Sequence, residues 1–320
     1  VTGLPRHRSQ PAGPARLACL SLLFWLGQLF GFPVVAATSL QPGNGSFHYT
    51  APATGKPLTI WYHRPPGMDR TARVVFVMHG QERNAQQYRD RWAAHAARHG
   101  FLLLVPEFSA QAFPGTQYGF GGVTDADEKR WGFQVIEALF DEVRAGESLK
   151  TPGYTLYGHS AGAQFVHRFM LFMPETRTEL AIAANAGAYT LPLYASSTEA
   201  GFPWSLDRKL VSEAQLRKAL GRRLVVLLGD RDTDPAHPLL PRAPQAKAQG
   251  RHRLERGQTF FQTGRDEAAS LDTAFRWELH TVPGVAHSDA GMSAAAIAII
   301  FNAPKRGNRG KDKPRPARDR

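Results

Sequence analysis

Between residues 58 and 301, short apolar runs alternate with longer stretches whose apolar positions recur at helical spacing. Residues Leu58–His63, Arg73–Met78, Phe101–Val105, Tyr154–Tyr157, Leu180–Ala184, Leu224–Leu228 and Trp277–Val282 predict strands. RVVFVM and LVVLL have no polar interruption, the pattern of strands covered on both faces. Proline at 106 is expected to end its strand. Helices are predicted over Ala85–Arg98 (closed by Gly100), Arg130–Arg144, Ala161–Phe172, Glu213–Leu220 and Ser293–Phe301. The second of these carries apolar residues at 131, 135, 136, 139, 140 and 143, a helical stripe. Strands separated by helices pair in parallel, because a parallel crossover needs a dozen or more residues. The expected class is therefore α/β, with a mostly parallel central sheet flanked by helices on both faces. Segments 107–129 and 235–257 lack periodicity and read as functional loops or inserts.

Composition adds two appendages to this core. The net charge of +12 looks like a nucleic-acid signal until it is localised. Residues 1–37 contribute +3 and residues 305–320 contribute +6, which leaves +3 for everything between. No groove-reading motif accompanies the charge, so no nucleic-acid partner is expected. Arg6, Arg8 and Arg16 precede an apolar run from Leu17 to Val35, which closes in Val35-Ala36-Ala37. Basic, apolar and small-residue regions in that order read as a secretory signal peptide. An uncleaved membrane anchor is the alternative. The organisation expected is a leader over 1–37, a catalytic domain over 38–302 and a disordered basic tail over 303–320. The single cysteine, Cys19, lies in the leader, so a mature chain has no thiol for disulfide, nucleophile or metal. No histidine cluster has metal-ligand spacing and no Gly-rich phosphate loop joins a strand to a helix, so no metal and no cofactor are expected.

The chemistry is concentrated in YTLYGHSAGAQFVHR. Gly158-His159-Ser160-Ala161-Gly162 places a serine between a strand and a helix, where a tight turn lifts its hydroxyl clear of the sheet. Only small residues fit two places before and after it. Serine needs a base, and the base needs an acid to orient it. In this arrangement the acid follows a late strand and the histidine follows the last one. After LVVLL comes Gly229-Asp230-Arg231-Asp232-Thr233-Asp234, and after WELHTV comes Pro283-Gly284-Val285-Ala286-His287. The G-x-x-D spacing favours Asp232, with Asp230 as the alternative acid. The oxyanion donors expected are the backbone N–H groups of Ala161 and of Gln81, the latter following Met78-His79-Gly80. His79, Tyr118, Phe120, His159, Tyr189 and Trp204 are candidates for a substrate pocket, or for anchors of their own loops. The basic residues of 235–257 (Arg242, Lys247, Arg251, His252, Arg253 and Arg256) read as a solvated loop, with attraction of an anionic substrate as the alternative.

The segments MHGQERNAQQY, GHSAGAQFVHRF, LLGDRDTDP and VPGVAHSDAGM resemble those of bacterial α/β-hydrolases of the polyhydroxybutyrate-depolymerase-like or esterase-like kind. The resemblance runs from about Leu58 to Phe301. It implies Ser160 as nucleophile, Asp232 as acid, His287 as base, and Gln81 and Ala161 as oxyanion donors. It also implies hydrolysis of a small or oligomeric carboxylic ester through an acyl-enzyme. A peptidase or thioesterase on the same triad is one alternative, and a non-catalytic envelope binding protein is another. No separate substrate-binding domain is visible, which argues against a solid polymer. Export to the periplasm or medium is expected, without stable membrane insertion once the leader is removed.

Overall fold

The computed structural model describes residues 39–123, 125–195 and 201–302, so the expected leader and basic tail lie outside the described residues. Among the described residues ten strands form, in chain order: β1 (Gly43–Thr50), β2 (Pro57–Arg64), β3 (Val74–Met78), β4 (Leu102–Glu107), β5 (Tyr154–His159), β6 (Thr178–Ala184), β7 (Leu191–Tyr194), β8 (Ser205–Leu206), β9 (Leu224–Gly229) and β10 (Glu278–Val282). Seven α-helices accompany them: α1 (Ala85–His99), α2 (Gln134–Gly146), α3 (Ala161–Phe172), α4 (Glu213–Leu220), α5 (Pro244–Ala248), α6 (Arg253–Ser270) and α7 (Asp289–Asn302).

Eight strands make one sheet in the order β1-β2-β4-β3-β5-β6-β9-β10. β1 and β2 run antiparallel to their neighbours, and every pairing from β4 to β10 is parallel. The uninterrupted run of β3 is explained by its position, since all five residues are buried. Val74, Phe76 and Met78 enter the core under α2, α3, α4 and α6, while Val75 and Val77 enter the core under α1 and α7. β7 and β8 form a separate two-stranded ribbon. Among the described residues, no helix is long and apolar enough to cross a membrane.

Several boundaries differ from the sequence expectation, each for a local reason. Pro106 does not end β4 but sits opposite Ile60 in the β2–β4 pairing. The β3–β4 pairing stops at Leu104, so Pro106 has a strand on one side only and no second partner misses its N–H. α2 starts at Gln134, because Glu128–Arg130 turn as a separate 3-10 segment capped by Asp127 and Trp131 is extended. α7 starts at Asp289, one turn before the predicted Ser293. β1 carries no apolar run; its residues alternate half-buried and exposed along the sheet edge.

The largest departure is α6. It occupies the end of the stretch expected to be a loop and continues for 18 residues. Its buried face is Arg253, Arg256, Gly257, Phe260, Gly264 and Ala268, at helical spacing but with one large apolar member. The glycines are needed for closeness: a Cβ on Gly257 would overlap Leu228 of β9, and one on Gly264 would lie 2.6 Å from the Trp277 ring. Arg253 and Arg256 are each 1% exposed, so neither belongs to a solvated loop, whereas Arg242 and Arg251 remain at the surface.

This packing yields a stability prediction. Gly257→Val overpacks the α6–β9 contact and should lower unfolding stability by about 1–3 kcal/mol. Gln258→Ala, one residue along on the exposed face, should stay within about 0.5 kcal/mol of wild type in the same urea titration.

Candidate active site

Three loops meet at the rim formed by the C-terminal ends of the parallel strands. The first is the turn from β5 into α3. Ser160 has φ 57° and ψ −113°, a backbone conformation rare for a residue with a side chain. The turn is held by the bond from Ser160 N–H to the Ala184 carbonyl (2.9 Å) and from Gln164 N–H to the Ser160 carbonyl (3.1 Å). A Cβ on Gly158 would overlap the Gly162 carbonyl, and one on Gly162 would overlap the Met78 carbonyl. The small residues flanking Ser160 therefore let a helix start directly against the neighbouring strand. Ala161 opens that helix, where backbone N–H groups have no intrahelical acceptor.

The second loop follows β9 and the third follows β10. His287 carries hydrogen bonds from both ring nitrogens: Nδ1 to Asp232 Oδ2 at 2.7 Å and Nε2 to Ser160 Oγ at 3.0 Å. Nδ1 therefore donates to the carboxylate, and Nε2 faces the serine as the acceptor of its proton. Asp232 is 3% exposed. Asp230, the alternative acid, is occupied elsewhere, since its Oδ1 accepts the Gly284 N–H at 2.7 Å and so pins the histidine loop. Asp234 caps its own turn through Ala236 N–H.

Asn185, which sequence reasoning did not single out, ties these loops together. It is fully buried just after β6, with φ 52°. Its Oδ1 accepts from Gly229 N–H at 2.8 Å, and its Nδ2 donates to the Ala286 carbonyl at 3.2 Å, next to His287. The Arg231 N–H to Val285 carbonyl bond closes the same junction. A Cβ on Gly229 would overlap the Val285 carbonyl, so the two loops lie in contact. The only sequence signal for Asn185 is a lone amide at the end of an alanine-rich strand, which carries no motif.

A cleft of about 320 Å³ opens at Ser160, lined among others by Gly80, Gln81, Tyr88, Arg91, His159, Leu239, His287 and Asp289. Of the expected pocket residues, His159 lines it, with its ring 4.7 Å from that of His287 and its Nδ1 3.1 Å from the Tyr88 hydroxyl. Burial, reinforced by the charges of His287, Arg253 and Arg91, lowers the His159 pKa well below its ordinary value. The other five do not line this cleft. His79 lies fully buried beneath it: its Nε2 accepts Phe108 N–H, so its Nδ1 donates to the Gly80 carbonyl. Burial lowers its pKa to about 4, leaving a neutral ring that supports the loop carrying Gly80 and Gln81. Tyr118 stacks on His79 and donates to the His79 carbonyl. Tyr189 is buried against Phe260, Phe120 lies under the Arg168 guanidinium and edge-on to Phe202, and half-buried Trp204 donates its backbone N–H to the Gly201 carbonyl. These residues anchor loops because the wall beside Ser160 is built from α1 and the start of α7 instead. Asp289, on that wall, accepts from Tyr157 and pairs with Arg91 at 3.4 Å. Burial pushes its carboxyl up to about 6 against the opposing pull of Arg91.

No protein-family profile and no curated protein matches the chain. Solved structures do. It is 41% identical to poly(aspartic acid) hydrolase-1 from Sphingomonas sp. KT-1, over 82% of this chain and 100% of that one, with a TM-score of 0.78. It is 33% identical to a poly(3-hydroxybutyrate) depolymerase from Bordetella parapertussis, over 82% of this chain and 92% of that one, with a TM-score of 0.77. An S-formylglutathione hydrolase from Agrobacterium tumefaciens shares the fold at 15% identity and a TM-score of 0.53, over 82% of this chain and 95% of that one. With this sheet, this elbow and identity at that level to two hydrolases over most of its length, the chain belongs to the α/β-hydrolase superfamily.

Proposed function

We propose that the protein cleaves carboxylic esters through an acyl-enzyme formed on Ser160. The observation that carries this reading is the single imidazole bonded at 2.7 Å to a buried carboxylate and at 3.0 Å to the elbow serine. Ser160 Oγ attacks the ester carbonyl while His287 Nε2 takes its proton. Asp232 holds the imidazole in the Nδ1–H tautomer and stabilises the imidazolium. The backbone N–H groups of Ala161 and Gln81 receive the oxyanion, each contributing a factor of about 100–1,000 in rate. The imidazolium then protonates the departing alkoxide, and a water activated by the same histidine releases the acid. The cleft has room for a few substrate units beside Ser160 and is lined largely by polar side chains, which suits short hydroxy-acid esters or their oligomers.

A second reading keeps the machinery and changes the bond. The neighbour at 41% identity is named for poly(aspartic acid), a polyamide, so amide cleavage is the competing activity. Export is part of the proposal. It is supported by the basic, apolar and small-residue succession in residues 1–37, which places cleavage after Ala37.

Three measurements test these statements. Asp232→Asn should lower kcat by roughly 10,000-fold, whereas Asp230→Asn should lower it less than about tenfold; equal losses would reassign the acid. Purified protein should turn over p-nitrophenyl esters of short acyl chains and leave aminoacyl anilides and oligo-aspartate intact, and the reverse selectivity would favour the amide reading. Protein recovered from a secreting host should begin at Thr38 by N-terminal sequencing, while an intact leader found in the membrane fraction would favour the anchor.

A further inference from the structure

The triad acid has a second partner that the reaction scheme above does not use. Asp232 Oδ2 is engaged by His287, and its Oδ1 lies 3.4 Å from Arg253 Nη1. Both side chains are sealed from solvent, 1% exposed for Arg253 and 2% for Asp232. The second arm of the same guanidinium, Nη2, lies 3.2 Å from His237 Nδ1. His237 in turn presents its ring edge-on to His287, with centroids 5.1 Å apart. A backbone bond from Leu254 N–H to the Asp232 carbonyl places the start of α6 against the loop that carries the acid.

We propose that Arg253 is a positioning residue that holds the Asp232 carboxylate in the plane His287 needs. The inference rests on the serine-hydrolase reading above. Its physical basis is geometric. A buried carboxylate bonded on one oxygen alone can rotate, and rotation would lengthen the bond to His287. A guanidinium on the other oxygen holds the carboxylate plane. Burial lowers the Arg253 pKa and the Asp232 charge acts against that, so the guanidinium stays a cation across the working pH range.

The other groups around His287 do not replace this cation. From β5 comes His159, whose pKa is driven well below its ordinary value. From the segment after β9 comes His237, lowered by burial and then by the charges of Arg253 and His287. Asp234 lies in that segment too, exposed and engaged with its own turn. Asp289 of α7, Arg91 of α1 and Glu82 line the same cleft, and Asp289 is paired with Arg91. Arg253 is thus the cation paired with the acid among the described residues.

The test is the split between kcat and KM for an ester substrate, with rescue by the conservative variant. Arg253→Gln removes the charge and the fork. It should lower kcat about 10- to 100-fold with KM little changed. Arg253→Lys keeps the charge and loses the fork, so kcat should recover only in part. Arg265→Gln, an exposed position on the same helix, should behave as wild type. A purely structural role for Arg253 would alter thermal stability and leave kcat of the folded Arg253→Gln enzyme at the wild-type value, and that result overturns the proposal. Should the neutral variant not fold, wild-type kcat in Arg253→Lys overturns it equally. Labelling of wild-type Ser160 by a fluorophosphonate separates the two readings. Absence of labelling sinks the serine mechanism itself, whereas normal labelling with wild-type kcat in the Arg253 variants sinks only the role of Arg253.

Discussion

One imidazole has to satisfy two partners that the chain delivers from different places. His287 Nδ1 must meet a carboxylate after β9, and its Nε2 must meet a hydroxyl at the end of β5, with both contacts at or under 3.0 Å. A hydrogen bond weakens steeply with distance and misalignment, so all three loops must be placed to a fraction of an ångström. The parallel order β5-β6-β9-β10 makes this possible, since it brings the three loops to one rim of the sheet. Twisted parallel strands supply the approximate placement, and the loop contacts supply the rest.

Those loop contacts are mostly backbone approaches closer than a side chain would allow. Gly158 and Gly162 let α3 begin against β3, and Gly229 lets the acid loop lie on the histidine loop. The side chains that intervene include amides, imidazoles and guanidiniums that satisfy backbone groups. Asn185 joins Gly229 to Ala286, His79 joins Gly80 to Phe108, and Arg256 donates to the Gly187, Gly250 and Pro241 carbonyls. Buried polar groups of this kind stabilise only when fully paired, so they specify one arrangement of the rim. The geometry around His287 and the stability of the loops thus rest on the same bonds.

The elements with strong local patterns are legible in the sequence. RVVFVM, LVVLL and the helix after Ser160 fall where periodicity places them. The helix α6 is not, because its buried face trades apolar bulk for two glycines and two arginines, and hydrophobic periodicity has nothing to detect. The aromatic residues left open between pocket lining and loop anchoring illustrate the same limit. Tyr118 and Tyr189 sit in loops near strand ends as expected, yet they point into the core, and side-chain direction in an irregular segment has no periodicity to betray it.

The sequence by itself determined the α/β alternation, the strand–serine–helix turn and the chain order of serine, acid and histidine, because each is written in contiguous residues with a local steric rule. Tertiary structure decided between Asp232, which the spacing favoured, and Asp230 as the partner of His287, and it alone decided which side chains wall the cleft and that a basic residue 21 positions beyond Asp232 is buried against it. Those outcomes depend on how distant segments pack, and packing selects among chemically similar neighbours by fractions of an ångström that no local pattern encodes.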